Sequence, residues 1–251
     1  EDGIRDQPRS RGLGDVYKRQ GKVMAHRNIT KLHLFFLMAF VLVGSGCRKQ
    51  VTASDMDMSE YGWVLYSEGK FTKSNEWFIN AVIRDTSYKD GYNGQGWTYG
   101  KIGEIDSSIA RFTVGRTKAL SDTTWQDEIL LISDPSHDPA RECTAGLALA
   151  YHAKNSHQDA VQYGLELLEM VKDNYYDVTQ EGPAWKFSRD VKINSQHIIW
   201  TISSSYFALG KYTESLDYAN RLNAVDSTFN TETVEGIQKL SIEISRLRLN
   251  L

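Results

Sequence analysis

Ser59–Arg84, moved thirty-four residues along the chain, falls on Asn93–Lys118 with its landmarks in register. Gly62 meets Gly96, Trp63 meets Trp97, Gly69 meets Gly103, Ser74 meets Ser108 and Phe78 meets Phe112. Leu65 pairs with Tyr99 and Phe71 with Ile105, so the pairs that differ still keep their bulk. A fixed period of this length marks an array of helical hairpins, each covering with its neighbour an apolar face that it cannot bury alone. The repeat constrains architecture strongly and says little about what the array holds.

Within the first unit the order is Tyr61, Gly62, Leu65, then Gly69-Lys70-Phe71, Ser74, Phe78, Ala81 and Asp85. The second runs Tyr92, Gly96, Tyr99, Gly103-Glu104-Ile105, Ser108 and Phe112, with Gly115 where the first has Ala81. Small residues admit a close neighbouring helix, aromatics fill the space beside them, and Gly69 and Gly103 suit a turn needing positive φ. This pattern resembles the tetratricopeptide repeat. Two later units match it more loosely. Thr144–Glu169 offers Leu147, Ala148, Tyr151, an Asn155-Ser156-His157 turn, Ala160 and Leu167, with Gly164 at the place of the second aromatic. Ile198–Asp226 gives Ile202, Ser203, Tyr206, Gly210-Lys211-Tyr212, Ser215 and Leu222. The resemblance implies an all-α fold, a right-handed α-solenoid of about four such hairpins.

Between the units lie additions near residues 121–138 and 175–195, which carry Pro135 and Pro183 with Pro139 nearby. Proline stops helices, and insertions in solenoids map to loops, often beside the binding face. Thr124–Ile132 could form a short helix of its own. Thr231–Arg248 has Val234, Ile237, Leu240, Ile244 and Leu247 at helical spacing and is expected to cap the array. No segment alternates convincingly as a strand does.

The first residues are read separately. Ile4–Gln20 resembles the translated read-through of a sequencing adapter, so residues 1–23 are taken as a non-native leader. Residues 24–46 read as a signal peptide: His26, Arg27 and Lys31 open it, and Leu34–Val43 supplies ten apolar residues, too few to span a bilayer. Gly44-Ser45-Gly46-Cys47 resembles a lipoprotein cleavage site, with Gly44 where such sites usually carry Leu. The resemblance implies acylation of Cys47 and, with Arg48 rather than Asp following, residence at the outer membrane, facing the periplasm or the cell surface. Residues 47–57 would be the tether and 58–251 the helical domain.

Removing Glu1–Gly46 takes eight basic and four acidic residues from totals of 29 and 32, leaving 21 against 28, net −7. No run of Lys or Arg offers the basic face that a nucleic acid needs. With Cys47 assigned to lipid, Cys143 stands alone and is expected to be a buried small hydrophobe. Gly94-Gln-Gly96-Trp-Thr-Tyr-Gly100 has the wrong spacing for a nucleotide loop and reads as packing. Neither a metal-ligand spacing nor a nucleophile motif is present, so no enzyme activity, metal or cofactor is expected.

In tetratricopeptide proteins the first helices line a concave groove. Carried over by position, the groove residues are Ser59, Trp63 and Tyr66; Asn93, Trp97 and Lys101; Glu142, Leu149 and His152; and His197, Trp200 and Phe207. Exposed Trp and Tyr anchor partners well because they bury much area with few rotors. The expected function is a membrane-tethered scaffold holding a segment of another envelope protein. The alternative is a lipoprotein that binds glycans or small ligands beside an outer-membrane transporter, with Trp63, Trp97 and Trp200 as stacking faces. Packing of these tryptophans against the tether, the insertions or a neighbouring helix is the other possibility.

Overall fold

Every short link between paired helices closes in the same way. The computed structural model describes residues 52–122, 138–172, 185–222 and 229–251. Expectations for residues 1–51, including Cys47, and for Thr124–Ile132 lie outside the described residues. Four helix pairs follow one another: α1 (Asp55–Ser67) with α2 (Phe71–Arg84), α3 (Lys89–Lys101) with α4 (Ile105–Ser121), α5 (Pro139–Ala153) with α6 (His157–Lys172), and α7 (Ser195–Ala208) with α8 (Tyr212–Leu222). A last helix, α9 (Val234–Leu249), follows them. In the four links Gly69, Gly103, Asn155 and Gly210 adopt φ of 74°, 85°, 64° and 74°. The next amide then reaches back to the helix: Lys70 N to Leu65 O, Glu104 N to Tyr99 O, Ser156 N to Tyr151 O and Lys211 N to Tyr206 O, each 2.9 Å. A left-handed residue followed by this long return bond satisfies carbonyls that a helix end leaves open. Asn155 does so without glycine, as its short polar side chain allows.

Helix starts are equally local. Ser54 and Asp57 form a capping box on α1. Asp138 accepts from Ala140 and Arg141 N–H ahead of Pro139 at the start of α5, and Asn194 accepts from Gln196 N–H ahead of α7. α1 begins at Asp55, inside the stretch read as tether.

Each helix packs on the next in sequence, while the first helices α1, α3, α5 and α7 also touch one another as an inner row. That arrangement is an α-solenoid of four hairpins closed by α9. Two phenylalanines wedge it together. Phe78 of α2 is fully buried between Gly62 of its own pair and Gly94 of the next. Phe112 of α4 sits likewise between Gly96 and Gly146. A Cβ on Gly94, Gly96 or Gly146 would meet the ring well inside the 3.0 Å that real Cβ contacts respect. Ser74 Oγ donates to Gly62 O at 2.7 Å and Ser108 Oγ to Gly96 O at 2.8 Å. Ser215 Oγ repeats the bond to Ser203 O at 2.8 Å, and Ser203 Oγ returns one to Ser215 O.

The third junction reverses the wedge. Gly164 of α6 is the small partner, and Ile202 of α7, fully buried, fills the place beside it. Bulk has moved from the second helix to the next first helix, so the joint is kept while the aromatic landmark is lost. At the end of the array Leu240, Ile244 and Leu247 of α9 pack with Ala219 against Trp200, Phe207 and Leu222. Val234, expected on this face, is 73% exposed because it opens the helix next to its cap, Thr233.

The all-α architecture holds, with one short strand pair added to it. Lys186–Phe187 (β1) and Asp190–Asn194 (β2) pair antiparallel as a short hairpin leading into α7. Two residues of β1 carry no readable alternation, the five of β2 alternate only through Val191 and Ile193, and a two-stranded ribbon needs other surface to hold it. The inner row of helices supplies that surface.

Candidate binding groove

Phe187 lies at the centre of the groove and is completely buried. Its ring stacks on Trp97 at 4.2 Å and 19°, and meets Trp63 and Tyr66 edge-on at 5.8 and 6.3 Å. Offset stacking and edge contacts are the favoured aromatic geometries. The tryptophans in turn rest on the repeat wedges, Trp63 against Phe78 at 4.7 Å and Trp97 against Phe112 at 5.3 Å. Repeat packing therefore positions the aromatic slot that Phe187 fills.

Beneath the slot runs a polar chain. Asp90 Oδ2 accepts from Ser59 Oγ at 2.7 Å and from Trp63 Nε1 at 2.9 Å. Asn93 Nδ2 donates to Glu142 Oε2 at 2.6 Å and to Asp90 Oδ1 at 3.3 Å. Ser188 Oγ and its N–H both donate to Glu142 Oε1. Buried carboxylates persist only with such donors. Cys143, buried as expected, places its thiol 3.6 Å from Asn93 Oδ1, and desolvation with the nearby Glu142 charge pushes its pKa well up.

The hairpin brings its cation to an acidic wall. Arg189 makes two bonds to Glu60, Nη2 to Oε1 at 2.6 Å and Nη1 to Oε2 at 3.2 Å, with its guanidinium 5.4 Å from the Trp63 ring. Burial works against this charge, but the bonds to Glu60 and the fields of Asp90, Glu60 and Glu142 more than offset it, so its pKa rises. Lys101 pairs with Asp190 at 3.6 Å and lies 5.7 Å above the Tyr66 ring. Desolvation first, then the charges of Asp190 and Glu142, raise the Tyr66 phenol far above its ordinary value.

Of the residues expected in the groove, Trp63, Tyr66, Asn93 and Trp97 converge beneath the hairpin and are at most 5% exposed. Lys101 lies at its rim. His197 stands beside it, 3.4 Å from Asn194 Oδ1, its pKa lowered by desolvation against the opposing charge of Asp190. Ser59 and Glu142 belong to the polar chain beneath it, whereas His152, Trp200 and Phe207 lie elsewhere. His152 meets Ser205 Oγ at 2.9 Å and the Trp200 ring at 5.3 Å. Trp200 donates Nε1 to Ile244 O at 2.9 Å, and it packs with Phe207 among the residues covering α9. Sequence reasoning did not single out Phe187, Ser188, Arg189, Asp90 or Glu60. The available signal was an aromatic and an arginine two apart, inside an insertion of the kind that folds over a binding face.

Among the described residues no helix is long and apolar enough to cross a membrane, and no cluster of His, Cys, Asp and Glu is placed to hold a metal. No family model and no curated protein matches the sequence. Solved structures show similarity. PilW, a widely conserved type IV pilus biogenesis factor, aligns with TM-score 0.45 and 16% identity over 75% of this chain and 68% of its own. The TPR-like repeats of a Podosopora anserina kinesin light chain give 0.49 and 12% over 78% and 95%. A tetratricopeptide repeat protein from Parabacteroides merdae gives 0.34 and 12% over 80% and 78%. At such values the fold rests on the repeated turns, wedges and serine bonds of this chain itself.

Proposed function

We propose that this chain is a non-catalytic scaffold that holds a segment of another envelope protein on the face formed by α1, α3 and α5, and is carried at the outer membrane by acylated Cys47. The observation that supports the reading is the occupant of that face. The tip of a hairpin, Phe187-Ser188-Arg189, lies on it with its ring stacked on Trp97, its serine bonded to Glu142 and its guanidinium bonded to Glu60. A face that binds polypeptide of its own chain in this way has the chemistry to bind polypeptide from another. The stacking face a sugar would need on Trp97 is taken by Phe187, and Trp200 is committed to α9.

A photo-cross-linking residue at Lys101 or His197, on the groove rim, tests this in membranes of the native cell. A protein adduct from both positions, with none from Thr113 on the exposed side of α4, is the expected result. Adducts from all three positions, or from none, would refute it. Palmitate labelling decides the tether: label present in the parent and lost in Cys47→Ala is expected, and label retained in that variant ends the claim.

A further inference from the structure

We propose that the Trp185–Asn194 hairpin is a resident self-ligand of the groove, and that its exchangeable counterpart is a protein segment carrying an aromatic side chain with an arginine two residues after it. The inference rests on the reading of this face as a protein-binding surface and adds what the face selects.

Three features carry it. The walls of the slot rest on the repeats themselves, Trp63 on Phe78 and Trp97 on Phe112, with no hairpin residue in either contact. The wall beside the slot is acidic: Glu60 bonds the guanidinium directly, while Asp90 bonds the Trp63 indole and Glu142 the neighbouring Ser188. A planar cation that bonds bidentately to a carboxylate while lying near an indole face is an arginine preference, which lysine meets poorly. The third feature is the imperfection of the fit. Among the described residues five buried side-chain polar atoms have no hydrogen-bond partner; three lie at this contact, Tyr66 Oη, Trp97 Nε1 and Arg189 Nε, and a fourth, Trp185 Nε1, is on the residue that opens the hairpin. A donor stripped of water without a new acceptor is a standing cost of the docked state. Tyr66 and Trp97 belong to the groove, so their unused donors are available to any incoming segment whose main-chain carbonyls reach them. The hairpin fills the aromatic and cationic positions and leaves these two unanswered. Such a ligand holds the site and can be outbid by one that answers all four.

The test uses the full chain and a fluorescein-labelled synthetic peptide copying Trp185–Asn194. The peptide is titrated by anisotropy into the parent and into the Phe187→Ala/Arg189→Ala double variant. It should bind the variant at least tenfold tighter than the parent, and a second peptide with alanine at those two positions should bind neither. Equal binding to both chains, or no binding to a double variant that keeps its helical circular dichroism and cooperative melt, would overturn the proposal. If the double variant does not fold, amide exchange in the parent decides. Residues 186–194 exchanging at least a hundredfold faster than α3 support displacement, and exchange in step with α3 overturns it. Peptide binding without groove cross-links would leave the self-ligand standing and remove the partner function. Cross-links without peptide binding would do the reverse.

Discussion

Gly94→Ala is the sharpest probe of the repeat joint. The added methyl would enter the face of the Phe78 ring at several carbons, all well inside ordinary contact. That ring has no exposed side to swing toward: it is fully buried, lies close to Gly62 behind, and meets Trp63 at 4.7 Å. Relief must come from shifting α3 away from α2, and overpacking of this kind costs about 1–3 kcal/mol. Against this, alanine is about 1 kcal/mol better than glycine inside a helix. The net expectation is a loss of up to about 2 kcal/mol in the parent background. Phe78→Ala alone should cost about 3–5 kcal/mol through the cavity it opens. In that background the methyl enters empty space, so Gly94→Ala should become stabilising by about 1 kcal/mol. The substitution is thus more favourable once Phe78 is gone, and the coupling between the sites is about 1–3 kcal/mol. Urea titrations of the four proteins, followed by far-ultraviolet circular dichroism and compared at constant slope, measure it. An effect of Gly94→Ala that is equal in the two backgrounds would refute the interlocked joint.

Ser74→Ala and Ser108→Ala remove equivalent bonds to Gly62 O and Gly96 O, so each should cost about 0.5–1.5 kcal/mol in urea, with the two values close. A difference above about 1 kcal/mol would deny that the two units are structurally equivalent. Tyr66→Phe deletes a buried hydroxyl that has no partner, so stability should hold or rise by up to about 1 kcal/mol; a clear loss would reveal a missing acceptor. Burial, with His157 and Arg248 nearby, holds the His152 pKa down to about 4 from its ordinary 6.5. The unfolded chain therefore takes up this proton first as pH falls. The contribution of neutral His152 to stability is complete above 6.5 and is lost progressively toward 4. Ring-proton NMR should place the titration near 4, and His152→Gln should flatten the stability profile across that window; a midpoint near 6.5 would contradict the buried setting.

The helix pairs, their turns and the places of closest approach were written in residues near one another in the chain. Gly69, Gly103, Asn155 and Gly210 each close a turn whose bonds span five residues, and Ser74 and Ser108 reach carbonyls twelve residues back. Local geometry of this kind leaves a period that can be read directly. Even so, Ile202 beside Gly164 shows the limit, since a joint can be kept while its bulky member changes helix.

What fills the groove was decided only when the chain closed on itself. Arg189 meets Glu60 across 129 residues, and Ser188 meets Glu142 across 46. Nothing in Lys186-Phe187 as a sequence marks it as a strand, because two residues have no period, and Ser188-Arg189 is the turn that follows. The hairpin holds its place through the aromatic slot and the acidic wall, both assembled from separate repeats. Periodicity sets how neighbouring helices pack, whereas the choice of occupant depends on shape and charge that exist only after the repeats have stacked.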